Sequence, residues 1–210
     1  MTTANQKYIG RFAPSPSGPV HFGTLVAAVG SYLQAQTYNG VWLLRIDDVD
    51  TTRKVEGADV DIIRTLEAFG FQWSGDILYQ TQMTSAYEIA LKQLIEQSLV
   101  FPCLCSRKQL AESEGGMIYP GTCRSRRLPE SEEHSLRLIA EDITITFDDI
   151  VMGKQTQNIK TDCGDFIIKR RDGLFAYQLA VVVDDAIQGI TEVVRGTDLL
   201  DSTPRQIYLQ

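Results

Sequence analysis

The order of segments between residues 8 and 46 restricts the fold more than any other feature of this sequence. Tyr8–Phe12 is predicted to be a short strand, which leads into a turn rich in proline, serine and glycine. From Gly23 to Tyr38, apolar residues recur at the spacing of an amphipathic helix, which Asn39-Gly40 ends. Val41–Ile46 is then almost continuously apolar, as in a strand buried on both faces. This order predicts a βαβ unit, and therefore an α/β fold with a parallel sheet.

The segment from Phe101 to Pro129 interrupts this pattern. Cysteines, glycines, prolines and basic residues fill it, so we expect a small insertion there rather than a part of the core. Around it, the sequence predicts two more helices and three more strands. The helices are expected at approximately Val55–Phe69 and Ser85–Gln97, and the strands at Ile143–Phe147, Phe166–Lys169 and Tyr177–Val183.

The overall charge limits the possible partners. A net charge of -7 argues against a protein that coats nucleic acid nonspecifically, because phosphate contacts need clustered lysines and arginines. Two short basic runs could form a local groove or be solvated surface: Arg124, Arg126 and Arg127, and Lys169, Arg170 and Arg171. No apolar run could span a bilayer, and residues 1–7 lack the apolar core of a secretory signal, so we expect a cytoplasmic protein with no membrane partner.

Three of the four cysteines lie in the predicted insertion. Cys103, Cys105 and Cys123 form a cluster that, without a signal peptide, is typical of a metal site rather than of a disulfide framework. Structural zinc takes four ligands in tetrahedral geometry. The fourth could be Tyr119, His134, Cys163 or water, and the alternative is a set of reduced thiols with no metal.

The turn before the first helix is a candidate phosphate site. Backbone N–H groups at the beginning of a helix attract phosphate oxygens, and His21 stands where the helix is predicted to begin. Gly23 has no side chain that would keep a nucleotide away from the backbone. By this reasoning the turn could serve any nucleotide, or be a structural turn with an incidental histidine.

The residues from Pro14 to Gly23 resemble the signature of the glutamate- and glutamine-specific branch of the class I aminoacyl-tRNA synthetases. In that family, a His-x-Gly-x element binds ATP, and Thr24 occupies its fourth position here. The resemblance implies a Rossmann-like catalytic domain that binds ATP with Mg²⁺, in which His21, Gly23 and Thr24 are catalytic. The ATP-binding set that it implies is Pro14, Ser15, Gly18, His21, Gly23 and Thr24.

Two further segments resemble the glutamate site of the same branch. Leu44–Asp50 is similar to the family's Arg-Ile-Glu-Asp-x-Asp run, with Asp47 in place of the glutamate that helps to hold the substrate ammonium group. Helix capping is the alternative role for Asp48 and Asp50. Val193–Asp198 is similar to the Val-x-Arg-Gly-x-Asp run. The implied glutamate-binding residues are Arg11, Phe12, Ala13, Pro14, Ser15, Asp47, Tyr177 and Arg195.

Gly164–Ala180 and Tyr119–Cys123 resemble one group within this branch, the glutamyl-queuosine tRNA(Asp) synthetases. That resemblance implies Tyr119 as the fourth ligand of Zn²⁺, beside Cys103, Cys105 and Cys123. It also implies activation of L-glutamate by ATP and transfer of the glutamyl group to queuosine in the anticodon of tRNA(Asp), by a monomer. We expect a catalytic domain at residues 1–100 and 174–210 and an inserted zinc-containing subdomain at residues 101–173.

One departure from the family keeps alternatives open. The Lys-rich loop of the Lys-Met-Ser-Lys-Ser type does not occur before Gln210, so we expect this form to end upstream of it and to turn over slowly. The alternatives are the catalytic part of an ordinary glutamyl-tRNA synthetase and a noncatalytic nucleotide- or RNA-binding module.

Overall fold

The computed structural model describes residues 7–111, 118–126 and 133–210 of this chain. They form two compact units, the first comprising Met1–Ser85 with Val183–Leu200 and the second Ala86–Val182 with Asp201–Gln210. The division into a catalytic domain and an inserted subdomain stays a prediction. Among the described residues, no helix has both the length and the apolar character needed to cross a membrane.

The first unit is built on the predicted βαβ unit. It contains β1 (Ile9–Phe12), α1 (Phe22–Thr37), β2 (Val41–Ile46), α2 (Ala58–Ala68) and the short strand β3 (Leu78–Tyr79). β2 lies between β1 and β3, and both pairings are parallel. A parallel bridge from Gly10 to Glu192 continues the pairing on the other side of β1. The parallel sheet predicted from the sequence is therefore confirmed.

Small residues on α1 allow the helix to pack closely in this unit. Its buried residues are Ala28, Ser31 and Ala35. The buried indole of Trp42, on β2, donates a hydrogen bond to the hydroxyl of Ser31 over 3.0 Å. Because this bond satisfies the polar atoms of both side chains, Trp42 can lie in the core at little cost.

The second unit contains antiparallel sheets. β4 (Val100–Cys103), β5 (Ser135–Leu138) and β8 (Phe166–Lys169) form one sheet, and β6 (Thr144–Asp149) pairs with β7 (Gly153–Asn158) in a hairpin. The helices α3 (Thr84–Glu96) and α5 (Tyr177–Ile187) each have residues in both units, whereas α4 (Arg107–Ala111) and α6 (Ser202–Leu209) belong to the second. Strands were predicted at the positions of β6 and β8, and both are confirmed.

The prediction of a strand at Tyr177–Val183 is wrong, because this segment is the first part of α5. An apolar run of this length does not by itself distinguish a strand from a buried helix. Here the helix continues through Asp184 and Asp185 to Ile187, and Asp184 is fully buried. An apolar run that ends in buried carboxylates is consistent with a helix, because the helix can bring those carboxylates close to charged side chains.

Candidate functional site

His21 caps the beginning of α1. Its backbone is extended, and its Nδ1 accepts a hydrogen bond from the backbone N–H of Thr24 over 3.3 Å. A neutral ring that accepts at Nδ1 carries its proton on Nε2, which lies 2.9 Å from the Thr24 hydroxyl oxygen. A Cβ atom at Gly23 would lie 3.3 Å from the ring, so this glycine gives the imidazole its room. His21, Gly23 and Thr24 thus form one local arrangement, with the imidazole exposed at the helix N-terminus.

Backbone hydrogen bonds fix the proline-rich turn against the chain that follows β2. The N–H of Asp47 donates to the carbonyl of Pro14, and the N–H of Val55 donates to that of Pro16, each over 2.9 Å. Pro14 is buried, whereas Ser15 is exposed and Gly18 is half-buried. The turn and the carboxyl ends of two parallel strands therefore lie together, where ligands commonly bind in α/β folds.

A buried network of charges lies behind this edge of the sheet. Arg45, at the end of β2, donates from Nε to Asp47 over 2.7 Å and from Nη1 to Asp185 over 2.6 Å. Asp185 also accepts from Nε and Nη2 of Arg11, over 3.2 Å and 3.4 Å. Asp184 takes part through its carboxylate, which lies 3.7 Å from Nε of Arg45, and it also accepts a hydrogen bond from Gln80 over 2.8 Å. Sequence reasoning selected Arg11 and Asp47 but missed Arg45 and Asp185, which connect them.

Burial controls the charge state of this network. It raises the pKa of Asp47 to about 6, even though the guanidinium of Arg45 acts in the opposite direction. Burial also lowers the pKa of Arg45, but Asp47 and Asp185 more than reverse that effect, so its pKa lies above the ordinary value. Arg45 is therefore a permanent cation with no exposed side-chain surface. Asp47 can change its charge in a pH range close to neutrality.

The two neighbouring carboxylates have different roles. Asp48 accepts hydrogen bonds from the N–H and the hydroxyl of Thr81 and pairs with Lys54 over 3.0 Å. These contacts hold the chain after β3, so the role of Asp48 is structural. Asp47 instead lies at the turn and pairs with Arg45.

The other residues predicted to bind the substrate glutamate lie outside this charged network. Phe12 is a core residue that stacks on Trp42, with ring centres 6.2 Å apart, so only its backbone is available to a ligand. Ala13 is half-buried at the end of β1, and Arg195 is half-buried in the segment that follows Glu192. Tyr177 is the first residue of α5 and belongs to the second unit. Their roles in glutamate binding stay predictions.

Three thiols in the second unit converge. The sulfur atoms of Cys103, Cys105 and Cys123 all lie within 4.8 Å of one another. The Cys103 thiol donates to the Tyr119 hydroxyl over 3.4 Å, and the Cys105 sulfur is 3.8 Å from the same oxygen. These four side chains come from two separate segments, and they have the atom types of a tetrahedral zinc site.

Two other candidate ligands lie elsewhere. Within the described part of the chain, the ligand group contains neither His134 nor Cys163. Cys163 packs with Ala140 and Ile159, and its sulfur donates to Gln157 over 3.5 Å. Tyr119 is therefore the one of the three candidate side chains that the structure places beside the thiols.

The environment of Cys123, unlike that of Cys105, where burial raises the pKa of the thiol, favours a deprotonated sulfur. Burial raises the pKa of the Cys123 thiol, but hydrogen bonds with the Tyr119 hydroxyl and with the N–H of Leu104 outweigh burial and lower that pKa to about 7. Burial raises the pKa of the Tyr119 phenol. A metal must therefore displace a firmly held proton to bind this oxygen.

The basic runs are largely engaged within the protein. Arg124 pairs with Asp165, Arg170 pairs with Asp172 over 2.6 Å, and Arg171 donates to the carbonyl of Leu104. The ammonium of Lys169 lies 5.1 Å from the ring centre of Phe175. Arg126 is exposed, and Arg127 lies outside the described residues.

Comparison with known proteins identifies the family. Residues 9–210 match the catalytic domain of the class I tRNA synthetases (E and Q). A glutamyl-Q tRNA(Asp) synthetase of Dechloromonas aromatica (strain RCB) is 55% identical over 98% of this chain and 70% of its own length. The enzyme of that name from Geobacter sulfurreducens is 50% identical over 100% of this chain and 69% of its own length.

Solved structures agree with this assignment. The glutamate tRNA ligase of Elizabethkingia meningosepticum, determined in complex with its amino acid, superposes with a TM-score of 0.84 at 28% identity. The glutamate-tRNA synthetase of Elizabethkingia anophelis gives 0.85 at 28% identity. Each match covers 97% of this chain, which spans only 46% and 47% of those proteins. The predicted class I synthetase fold and the enzyme class are confirmed, whereas the zinc-binding insertion stays a prediction. The chain belongs to the class I tRNA synthetase (E and Q) family, in its glutamyl-Q tRNA(Asp) synthetase group.

Proposed function

We propose that this protein activates L-glutamate with ATP and transfers the glutamyl group to queuosine in the anticodon of tRNA(Asp). The observation that carries the proposal is the buried network of Arg11, Arg45, Asp47 and Asp185, which lies behind the His21 turn. It places cations and a carboxylate beside a helix N-terminus, as an amino acid and a triphosphate require. The names of relatives that are 50–55% identical support the same reaction.

ATP is proposed to bind at the turn. Pro14, Ser15 and Gly18 would form one wall of the ATP site, and His21, Gly23 and Thr24 lie at the N-terminus of α1. If the His21 ring donates from Nε2 to a phosphate oxygen, it exchanges its Thr24 partner for a charged one, which is the stronger hydrogen bond. Mg²⁺ would accompany the triphosphate.

Glutamate is proposed to bind beside ATP. Its ammonium group would lie against Asp47, and its carboxylates would be received by Arg11 and Arg195, with Ala13 and the backbone of Phe12 beside them. Tyr177 is kept as a proposed glutamate-binding residue because of the family resemblance. The α-carboxylate then attacks the α-phosphate, which releases pyrophosphate and gives glutamyl-adenylate. A queuosine hydroxyl attacks the activated carbonyl, and AMP leaves. Neither step needs a protein nucleophile, so the protein acts by alignment and charge stabilisation.

Zn²⁺ is proposed to be held by Cys103, Cys105, Tyr119 and Cys123, as a structural centre in which every position is filled by the protein. We keep the inserted subdomain at residues 101–173 and the monomeric state as parts of the proposal. The cytoplasm, where ATP and tRNA are found, is the proposed location.

Transfer of labelled glutamate to purified tRNA tests the proposed function. We expect labelling of tRNA(Asp) that contains queuosine, and none of tRNA(Asp) that carries guanosine at the same position. Labelling of tRNA(Glu) instead would favour an ordinary glutamyl-tRNA synthetase, the name of the structural neighbours. A chain that labels neither tRNA would contradict both.

The pocket itself is tested by Arg195→Ala. Loss of a guanidinium that receives a carboxylate should weaken glutamate binding by about 1.5–3 kcal/mol, or roughly tenfold to hundredfold, while ATP binding stays within about twofold. Titration calorimetry with each ligand measures both. An unchanged glutamate affinity would remove Arg195 from the pocket.

A further inference from the structure

Arg137 is a buried cation of the second unit that the proposed reaction does not use. Only 5% of its surface is exposed. It lies on β5, two residues from Ser135, which pairs with Cys103 on β4. Residues two apart on a strand share a face, so Arg137 lies on the same face of the sheet as the first thiol of the cluster.

The guanidinium of Arg137 contacts two of the proposed metal ligands. Its Nε donates to the sulfur of Cys103 over 3.3 Å, and its Cζ lies 4.1 Å from the centre of the Tyr119 ring. Both are attractive contacts for a cation, one with a sulfur lone pair and the other with the negative face of an aromatic ring.

The opposite side of the guanidinium is held by the backbone. Nη1 donates to the carbonyl oxygen of Asp165 over 2.7 Å. The Asp165 carboxylate itself receives Nε of Arg124 and the N–H of Ala140, each over 2.7 Å. Among the described residues no carboxylate forms an ion pair with Arg137, and the side chains that its guanidinium contacts there are those of Cys103 and Tyr119.

Charge balance explains why a cation belongs there. Three thiolates around Zn²⁺ leave one negative charge, and a phenolate as fourth ligand leaves two. A buried centre with uncompensated charge is costly in a low-dielectric interior. Groups that donate hydrogen bonds to metal ligands commonly supply the compensation and tune the affinity for the metal.

We propose that Arg137 is the outer-shell cation of the zinc centre: by donating to the Cys103 sulfur and lying over the Tyr119 ring, it offsets the negative charge of the ligands and sets the affinity for zinc. This inference rests on the zinc site proposed above. Arg137 touches no metal in this arrangement and acts through the ligands, so it is a positioning residue.

The test is zinc affinity, measured by competition with a chromophoric chelator on the intact chain. Arg137→Met keeps length and removes the charge, and we expect it to weaken zinc binding by about 10–100-fold. Arg137→Lys keeps the charge but loses the planar guanidinium group, so zinc affinity should fall by less, though still severalfold. Arg126→Met is the matched control, because it removes the same charge from an exposed arginine near Cys123 and should leave the affinity unchanged.

A spectroscopic readout separates charge compensation from mere packing. With Co²⁺ at saturation, loss of the N–H donor to sulfur should move the thiolate-to-cobalt charge-transfer band to lower energy in Arg137→Met and not in Arg126→Met. A folded Arg137→Met protein with wild-type affinity and an unmoved band would overturn the proposal. If that variant does not fold, wild-type affinity in Arg137→Lys would overturn it instead.

Zinc content of the wild-type protein distinguishes this inference from the metal proposal on which it rests. Freshly reduced wild-type protein that takes up no zinc would overturn both. Protein that binds one zinc, with variants of equal affinity, would overturn only the role of Arg137.

Discussion

At the residue scale, Asp185 is the point where two arginines meet. Its carboxylate receives Arg11 from one side and Arg45 from the other, and only 12% of its side chain is exposed. We expect Asp185→Asn to leave the two guanidinium groups poorly compensated and free to reorient. The KM for glutamate should rise roughly tenfold to hundredfold, the effect of losing about 1.5–3 kcal/mol of charge-assisted hydrogen bonding, while the KM for ATP changes little.

Asp48→Asn is the matched control for this prediction. The side chain of Asp48 is fully buried and is also paired with a cation, but its partners are Lys54 and Thr81 rather than the arginines. The control should lose stability without a selective change in the KM for glutamate. Equal effects of Asp185→Asn on both substrates would mean that Asp185 only supports the fold.

Asp47 gives the site a dependence on pH. Burial raises its pKa to about 6, and the protonated form cannot pair with an ammonium group. The KM for glutamate should therefore rise as pH falls below about 6, by up to tenfold per unit, as the ionised fraction declines. Asp47→Asn should raise the KM at pH 7 and remove this dependence. A KM that is flat between pH 5 and 7 in the wild type would contradict the role of Asp47.

The same raised pKa acts on stability with the opposite sign. Asp47 binds its proton more tightly in the folded protein than in the unfolded chain, whose pKa is near the ordinary 3.8. The folded state therefore gains stability from this group as pH falls through 6 toward 4. Loss of glutamate binding near pH 5.5 would accordingly not be a consequence of unfolding caused by Asp47.

Sequence patterns assigned a role to Arg11 and Asp47 but none to the residues that connect them, although Arg45 lies in the same run as Asp47. Arg11 and Asp47 lie at the ends of predicted strands, where a local pattern identifies them. Arg45 and Asp185 are 140 residues apart, and their contact depends on how α5 packs. Arg137 was missed for the same reason, because its partners Cys103 and Tyr119 come from other segments of the chain.

At the scale of elements, Gly164 lies where a helical turn meets the segment of Tyr119, one of the proposed zinc ligands. It follows the π-helical turn Ile159–Cys163, and its φ of 66° with ψ of 179° is a conformation essentially restricted to glycine. A Cβ atom there would lie 3.0 Å from the backbone nitrogen of Tyr119 and 2.9 Å from Ile118. Gly164→Ala should therefore cost about 1–3 kcal/mol of stability and also weaken zinc binding by displacing Tyr119.

Gly173→Ala separates these two effects. Gly173 also has a positive φ, of 85°, but no atom lies within 4 Å of an added Cβ. Chemical denaturation should show a loss of stability for both variants, whereas chelator competition should show weaker zinc binding for Gly164→Ala alone. Unchanged zinc affinity in Gly164→Ala would mean that the Tyr119 segment is not held by this contact.

The helix with a clear period was predicted well, whereas short apolar runs were assigned correctly in some cases and wrongly in another. The spacing of apolar residues in α1 indicated a helix, β2 was assigned correctly as the strand that follows it, and the parallel pairing followed from their order. Tyr177–Val183 has neither the helical nor the strand period. Its helical conformation is seen only in the structure, where the helix continues past the buried Asp184. The convergence of the three thiols was predicted because cysteine chemistry restricts the possibilities, even though the described residues 118–126, which carry Tyr119 and Cys123, form no helix or strand.

At the scale of the whole molecule, the proposed function means that the protein should activate its amino acid without RNA. The turn at His21 and the network around Arg45 lie in one unit, so ATP and the ammonium end of glutamate have their proposed contacts there. The ordinary glutamyl-tRNA synthetases that the chain resembles generally need their tRNA for this step. Activation without tRNA is therefore the property that distinguishes the proposed function from its nearest alternative.

Glutamate-dependent exchange between ATP and pyrophosphate, in the absence of tRNA, tests this claim most directly. It should be measured on the 210-residue chain and on a form that carries the additional length of its glutamyl-Q relatives. We predict exchange that requires glutamate, is not supported by glutamine, and is reduced by Asp185→Asn more than by Asp48→Asn. Exchange that begins only when tRNA(Glu) is added, or that is absent from both forms under every condition, would contradict the account.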